Sequence, residues 1–191
     1  MGARRKPLAH HALPPGTWEV DASRSEVGFE VRHLGLTRVR GRFTRFEGTV
    51  RVSRGRVSAA GSVEVASVET GDERRDHYLR TDDGFFDPHR HPRIEFTAGP
   101  ASAGGESFRL EGELTIRATS RPLSLEVEVE QPGRRRGADG GPAREVVMAA
   151  RGELQRGDYG LRFPAVAGYG DALVGETVKI RIRALLAGGS S

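Results

Sequence analysis

The chain contains no cysteine. Disulfides, thiolate nucleophiles and cysteine-ligated metal sites are therefore all excluded. Lysine is almost as scarce: Lys6 and Lys179 are the only two, so arginine carries nearly all the positive charge. With 30 Lys+Arg against 26 Asp+Glu, the formal net charge is only +4. That balance mildly favours an anionic head group or membrane surface. The basic residues are spread along the chain rather than gathered on one element, which argues against a nucleic-acid partner. No stretch approaches the ~18–20 apolar residues of a membrane-spanning helix, so no transmembrane segment is expected. Arg4, Arg5 and Lys6 open the chain, but Leu8 to Pro15 behind them is too short and too polar for a secretion-signal core. Residues 1–16 are accordingly expected to form a disordered leader, 17–187 a single domain and 188–191 a flexible tail. The missing signal core and missing cysteine both fit a cytoplasmic protein. A glycine-rich phosphate loop, a nucleophile elbow and a zinc-protease helix are also missing.

What is present is alternation with period two, the mark of strands with one buried face. Val27, Phe29, Val31 and His33 share a face opposite Glu26, Glu30 and Arg32. Val39, Gly41 and Phe43 alternate with Arg38, Arg40 and Arg42, and Ile94, Phe96 and Ala98 with Arg93, Glu95 and Thr97. Phe108 to Ile116, Leu123 to Val129 and Val178 to Ala184 repeat the pattern. So many amphipathic strands, with no room for crossover helices, predict an all-β antiparallel barrel or sandwich. Gly28, Gly41, Gly48, Gly61 and Gly112, within or beside strands, allow the sharp bending that closure needs and leave internal space. Thr70 to Phe86 breaks the alternation and predicts a short helical insertion around 71–82, capped by Thr70 or Asp72 and stopped near Gly84. Gly133 to Pro142, with its arginine triplet, reads as a flexible, solvated hairpin loop.

The histidines offer little chemistry. His10 and His11 lie in the leader. His89 and His91, near Asp87, have the spacing of metal ligands, but two prolines in the same six residues favour a turn, so no metal is expected. The pair Asp76 and His77 has the makings of an oriented base yet lacks a recognisable nucleophile. His33, in phase with the core side at a strand end, either bonds a loop backbone or stands as a polar group at the barrel mouth.

Taken in order, several stretches resemble the YceI-like family, lipocalin-like polyisoprenoid-binding proteins. They are Trp18-Glu19-Val20-Asp21 with Ser25 and Phe29, His33-Leu34-Gly35, Gly41-Arg42-Phe43, Thr70, Asp76-His77-Tyr78-Leu79, Phe85-Phe86-Asp87, Pro92-Arg93-Ile94-Glu95-Phe96, Gly112-Glu113-Leu114-Thr115-Ile116, Thr119-Ser120-Arg121-Pro122-Leu123 and Arg156-Gly157-Asp158-Tyr159-Gly160. One departure is Ala118, where the family usually has glycine. The resemblance implies an extended eight-stranded antiparallel barrel whose apolar cavity takes an isoprenoid chain, and a frequent homodimer. The expected ligand is a polyisoprenoid, quinone or prenyl lipid, with no cofactor and no catalytic residue. Candidate ligand-binding residues are Phe29, His33, Val39, Phe43, Phe46, Leu79, Phe85, Phe86, Ile94, Phe96, Arg156 and Tyr159, with His33, Arg156 and Tyr159 near the polar end. The rival readings are an enzyme that uses the same pocket through Asp76 and His77, and a solid-cored stress-response or interaction module.

Overall fold

A computed structural model describes residues 13–33, 35–81, 85–102, 105–130, 135–136, 142–143, 145–163 and 174–190. The alternating segments become β1 (Gly16–Val20), β2 (Glu26–His33), β3 (Thr37–Phe43), β4 (Phe46–Ser53), β5 (Arg56–Glu64) and β6 (Val68–Glu69). After helix α1 (Glu73–Arg80) come β7 (Arg93–Ser102), β8 (Ser107–Ile116) and β9 (Thr119–Glu130). A two-stranded ribbon, β10 (Arg135–Arg136) and β11 (Pro142–Ala143), precedes β12 (Glu145–Gln155) and β13 (Val174–Ser190). The rest of the expected loop from Gly133 to Pro142 lies outside the described residues, as do His10 and His11 and the expected helix stop at Gly84.

The main sheet is antiparallel throughout and closes on itself. β1 and β2 form one broken strand, interrupted by a 3-10 turn at Ala22–Arg24. β3 and β4 form another, interrupted at Thr44 and Arg45. Counting each broken strand once, the wall has eight strands in the order β1/β2, β3/β4, β5, β7, β8, β9, β12, β13. The long β13 closes the circle: it pairs with β12 on one side, and with β2 and then β1 on the other. The breaks have local causes. Asp21 caps the 3-10 turn by accepting from Ser23 N at 3.0 Å, and the Ser25 hydroxyl accepts from Leu185 N at 2.9 Å. Between β5 and β7, Val57 faces Ala101 and Ala59 faces Ala98, so Gly99 and Pro100 bulge past Ser58. A proline that cannot donate to the ladder belongs at such a place, and bulges supply the curvature a closed barrel needs.

Two expected boundaries need correction. Leu13 is buried and the Trp18 indole N–H donates to Pro14 O at 3.0 Å, so residues 13–16 pack as part of the barrel rather than belonging to a disordered leader. At the other end, Gly188 pairs with Trp18 and Ser190 with Thr17, so residues 188–190 form the last rungs of the barrel and not a loose tail. Both ends are held by tertiary pairing with β1, which the residues themselves do not announce.

The insertion is helical as expected. Asp72 caps α1, accepting from Arg75 N at 2.9 Å, and the helix ends at Thr81, whose hydroxyl donates to Tyr78 O at 3.1 Å. Among the described residues, no helix is long and apolar enough to cross a membrane. The β8–β9 hairpin turns on Arg117 and Ala118, both with positive φ (49° and 60°). Such a tight turn favours glycine, and here neither residue is one.

Candidate functional site

Inward-facing side chains are not equally buried. On β8, β9 and β12, Leu110, Leu114, Leu123, Leu125, Val127 and Met148 are fully buried. Their counterparts Phe29 and Val31 on β2, Val63 on β5, Ile94 and Phe96 on β7, and Ile180 and Ile182 on β13 stay only half-buried, although they point into the barrel. The space they face is a cavity of about 280 Å³ whose wall is almost wholly apolar. Glycines shape it. The Phe29 ring lies over Gly41, where an added Cβ would sit 2.2 Å from the ring, and the Phe96 ring lies over Gly112 in the same way at 2.5 Å. Gly48 and Gly61 face each other across β4 and β5, so that part of the wall carries no side chains.

Ten sequence-nominated side chains line the cavity: Phe29, Val39, Phe43, Phe46, Leu79, Phe85, Phe86, Ile94, Phe96 and Arg156. The aromatic ones form a connected series. Ring centroids are 5.7 Å apart for Phe29 and Phe43, 6.2 Å for Phe43 and Phe86, and 5.0 Å for Phe85 and Phe86. His33 and Tyr159 do not contribute to the wall. His33 sits on the last rung of β2, opposite Thr37 and beyond the Val31–Val39 rung that does line it. Tyr159 is buried in the 3-10 turn Arg156–Tyr159, packed beside β9. Its phenol is held above the ordinary value of 10.0 by burial first and Asp158 second, against a pull from Arg121.

A sequence profile of the YceI-like domain matches residues 18–186. The chain belongs to the YceI-like family. It is 26% identical over 121 residues to UPF0312 protein plu2095 of Photorhabdus laumondii, covering 61% of this chain and 62% of that one, short of two thirds of the relative's length. Among solved structures, it is similar to BcnA of Burkholderia cenocepacia, with a TM-score of 0.72, 22% identity, and 87% and 98% of the two chains covered. A structure described as a polyisoprenoid binding domain from Saccharophagus degradans gives a TM-score of 0.70 at 15% identity, covering 89% and 97%.

Within this YceI-like barrel, Arg156 has a role that its sequence position does not reveal. Its side chain is 1% exposed yet charged. It donates from Nε to Gly175 O at 3.1 Å, from Nη1 to Leu161 O at 2.8 Å, and from Nη2 to Val174 O at 3.0 Å and Glu176 Oε1 at 2.8 Å. The guanidinium also lies over the Phe163 ring at 5.5 Å. A buried charge persists only when paired and bonded this fully. Arg156 therefore clamps the start of β13 to the chain leaving β12. Phe163, absent from the sequence candidates, also lines the cavity and stacks on Phe85 at 4.5 Å and Tyr78 at 6.0 Å. No periodicity marks it.

The acid–base pair on which the rival enzyme reading rests is not assembled at the cavity. Asp76 is buried and accepts from Thr70 N at 2.8 Å and from the Thr70 hydroxyl, which ties α1 to the end of β6. His77, next in sequence, faces solvent, and neither lines the cavity. His89 and His91 lie on the turn expected of them, where His91 N donates to Asp87 O at 2.8 Å. Among the described residues no three His, Asp or Glu side chains are placed to hold a metal.

Proposed function

We propose that this chain binds the tail of a long apolar molecule, a polyisoprenoid or similar amphiphile such as a quinone or prenyl lipid, inside the barrel, and carries or sequesters it. The observation that carries the reading is the ring of half-buried apolar side chains around an apolar space of about 280 Å³. An engineered cavity of roughly 150 Å³ holds benzene, so this one has room for on the order of ten carbons. At ~0.8 kcal/mol per buried CH₂, such a tail gains about 8 kcal/mol without any directional contact. A longer chain would emerge at an end of the barrel. The neighbour described as a polyisoprenoid binding domain supports the same ligand class. A homodimer and a cytoplasmic setting belong to this proposal as well, the first from the family resemblance and the second from the cysteine-free composition.

The test is organic extraction of protein purified from its native host, followed by mass spectrometry. The reading expects a stoichiometric long-chain isoprenoid or related amphiphile. Protein that yields no lipid, and takes up none from added geranylgeraniol, would overturn it.

A further inference from the structure

Leu36 is the one large hydrophobic residue exposed to solvent among the described residues, at 90%. It is not loosely placed. Gly35 takes φ +67°, and both Leu36 N, at 3.2 Å, and the Thr37 hydroxyl, at 3.0 Å, donate to the His33 carbonyl. The β2–β3 turn thus holds Leu36 out at its tip.

Behind the tip, the outer face of the same hairpin is crowded with arginine. Arg32 and Arg38 face each other one rung below His33 and Thr37. On the next outward rung Glu30, only 6% exposed, lies opposite Arg40. It is ringed by Arg40 at 3.1 Å, Arg181 at 3.5 Å and Arg38 at 3.7 Å. One carboxylate thus gathers three guanidiniums that remain exposed, and with Arg32 these five side chains carry a net charge of +3.

We propose that this hairpin docks the barrel onto an anionic lipid bilayer, with Leu36 entering the head-group boundary and Arg32, Arg38, Arg40 and Arg181 meeting the lipid phosphates. An apolar side chain projecting beyond a basic band matches a surface whose charge overlies hydrocarbon. A nucleic-acid backbone would meet the arginines and leave Leu36 in water. The location agrees: Val31 and Val39, paired between the Arg32–Arg38 and Glu30–Arg40 rungs, line the cavity, as does Val174 opposite His33. The tip therefore stands at an end of the cavity, where a membrane-dissolved chain would enter or leave with least exposure to water. Docking itself does not depend on what the cavity holds.

The experiment uses the full chain and vesicles free of isoprenoid, of phosphatidylcholine alone or with one third phosphatidylglycerol. The Leu36→Trp variant serves as a probe, since the only native tryptophan, Trp18, is 1% exposed. Binding is expected to be about tenfold or more stronger on the anionic vesicles and to weaken as salt rises. The probe's emission should shift to shorter wavelength on binding. Arg32→Gln and Leu36→Ser should each lower partitioning about fivefold, with circular dichroism unchanged. Four results would overturn the proposal. One is equal or absent binding to the two vesicle types. Another is sedimentation with the anionic vesicles while the Leu36→Trp emission does not move. A third is duplex DNA displacing the vesicles, with Leu36→Ser without effect on DNA binding. The last is a Leu36-dependent dimer in lipid-free buffer that excludes vesicle binding.

Discussion

Replacing Ala59 with phenylalanine separates a hollow barrel from a solid one. Ala59 faces Val50 across the β4–β5 ladder, and its half-buried methyl forms part of the cavity wall. Since roughly 150 Å³ accommodates benzene, the new ring would occupy about half of the 280 Å³ available. A bound tail would then lose about five of its buried carbons. At ~0.8 kcal/mol each this comes to about 4 kcal/mol, or nearly a thousandfold in Kd. The fold should not suffer, because the ring enters empty apolar space, and burying it is expected to add about 1 kcal/mol. Calorimetric titration with geranylgeraniol reads the first effect and thermal unfolding followed by circular dichroism the second. A filled core predicts the reverse on both counts: overpacking would cost ~1–3 kcal/mol, and there would be no binding to lose. Unchanged affinity in a stable Ala59→Phe protein would refute the placement of the ligand.

Other residues give independent checks. Arg156→Ala should lower stability by about 3 kcal/mol or more in urea unfolding, because it leaves the carbonyls of Leu161, Val174 and Gly175 without their donor. Arg156→Lys should recover little of this, since an ammonium cannot make the same fork. The Glu30 carboxyl is held below its ordinary 4.5 by the Arg40 hydrogen bond first and by the charges of Arg181 and Arg38, against burial. Its contribution is therefore complete above about pH 4.5 and disappears as pH falls through the lower folded value. The stability gap between the wild type and Glu30→Gln should accordingly be present at neutral pH and close in acid. Gly112→Ala should cost more than Gly41→Ala: its Cβ would meet the Thr97 carbonyl at 2.5 Å, whereas the nearest atoms to that at Gly41 all belong to the Phe29 ring, which has the cavity to move into. Ala118→Gly should raise stability by about 0.5–1 kcal/mol, because φ of 60° strains an alanine but not a glycine.

What could be read from the residues, and what could not, divides by the range of the interactions. Strands announced themselves because alternation is local: each inward row, from Val27 to Val31 or from Phe108 to Ile116, is written in consecutive residues. The helix was legible from the loss of alternation and from Asp72. The family's ordered motifs drew attention to Phe85 and Phe86, which do line the cavity. The misses were non-local. Arg156 does line the cavity, but its clamp on the start of β13 was not legible, because its hydrogen-bond partners lie 5 to 20 residues further on. Glu30 looked solvated because the arginines that cover it come from two other strands. Phe163 had no pattern to betray it, and the burial of Leu13 in the core is not announced by its neighbours in sequence. His33 had the inward phase and stands on the end rung of β2, one rung beyond the Val31–Val39 pair that lines the cavity.

The central claim is that the barrel encloses space for an apolar chain. The most direct measurement is the electron density inside a crystal of protein purified from its native host. Our account predicts a continuous elongated feature beside Phe29, Phe43 and Phe96. Side chains of β2, β5, β7 and β13 packed against one another across the barrel, with nothing between them, would contradict it.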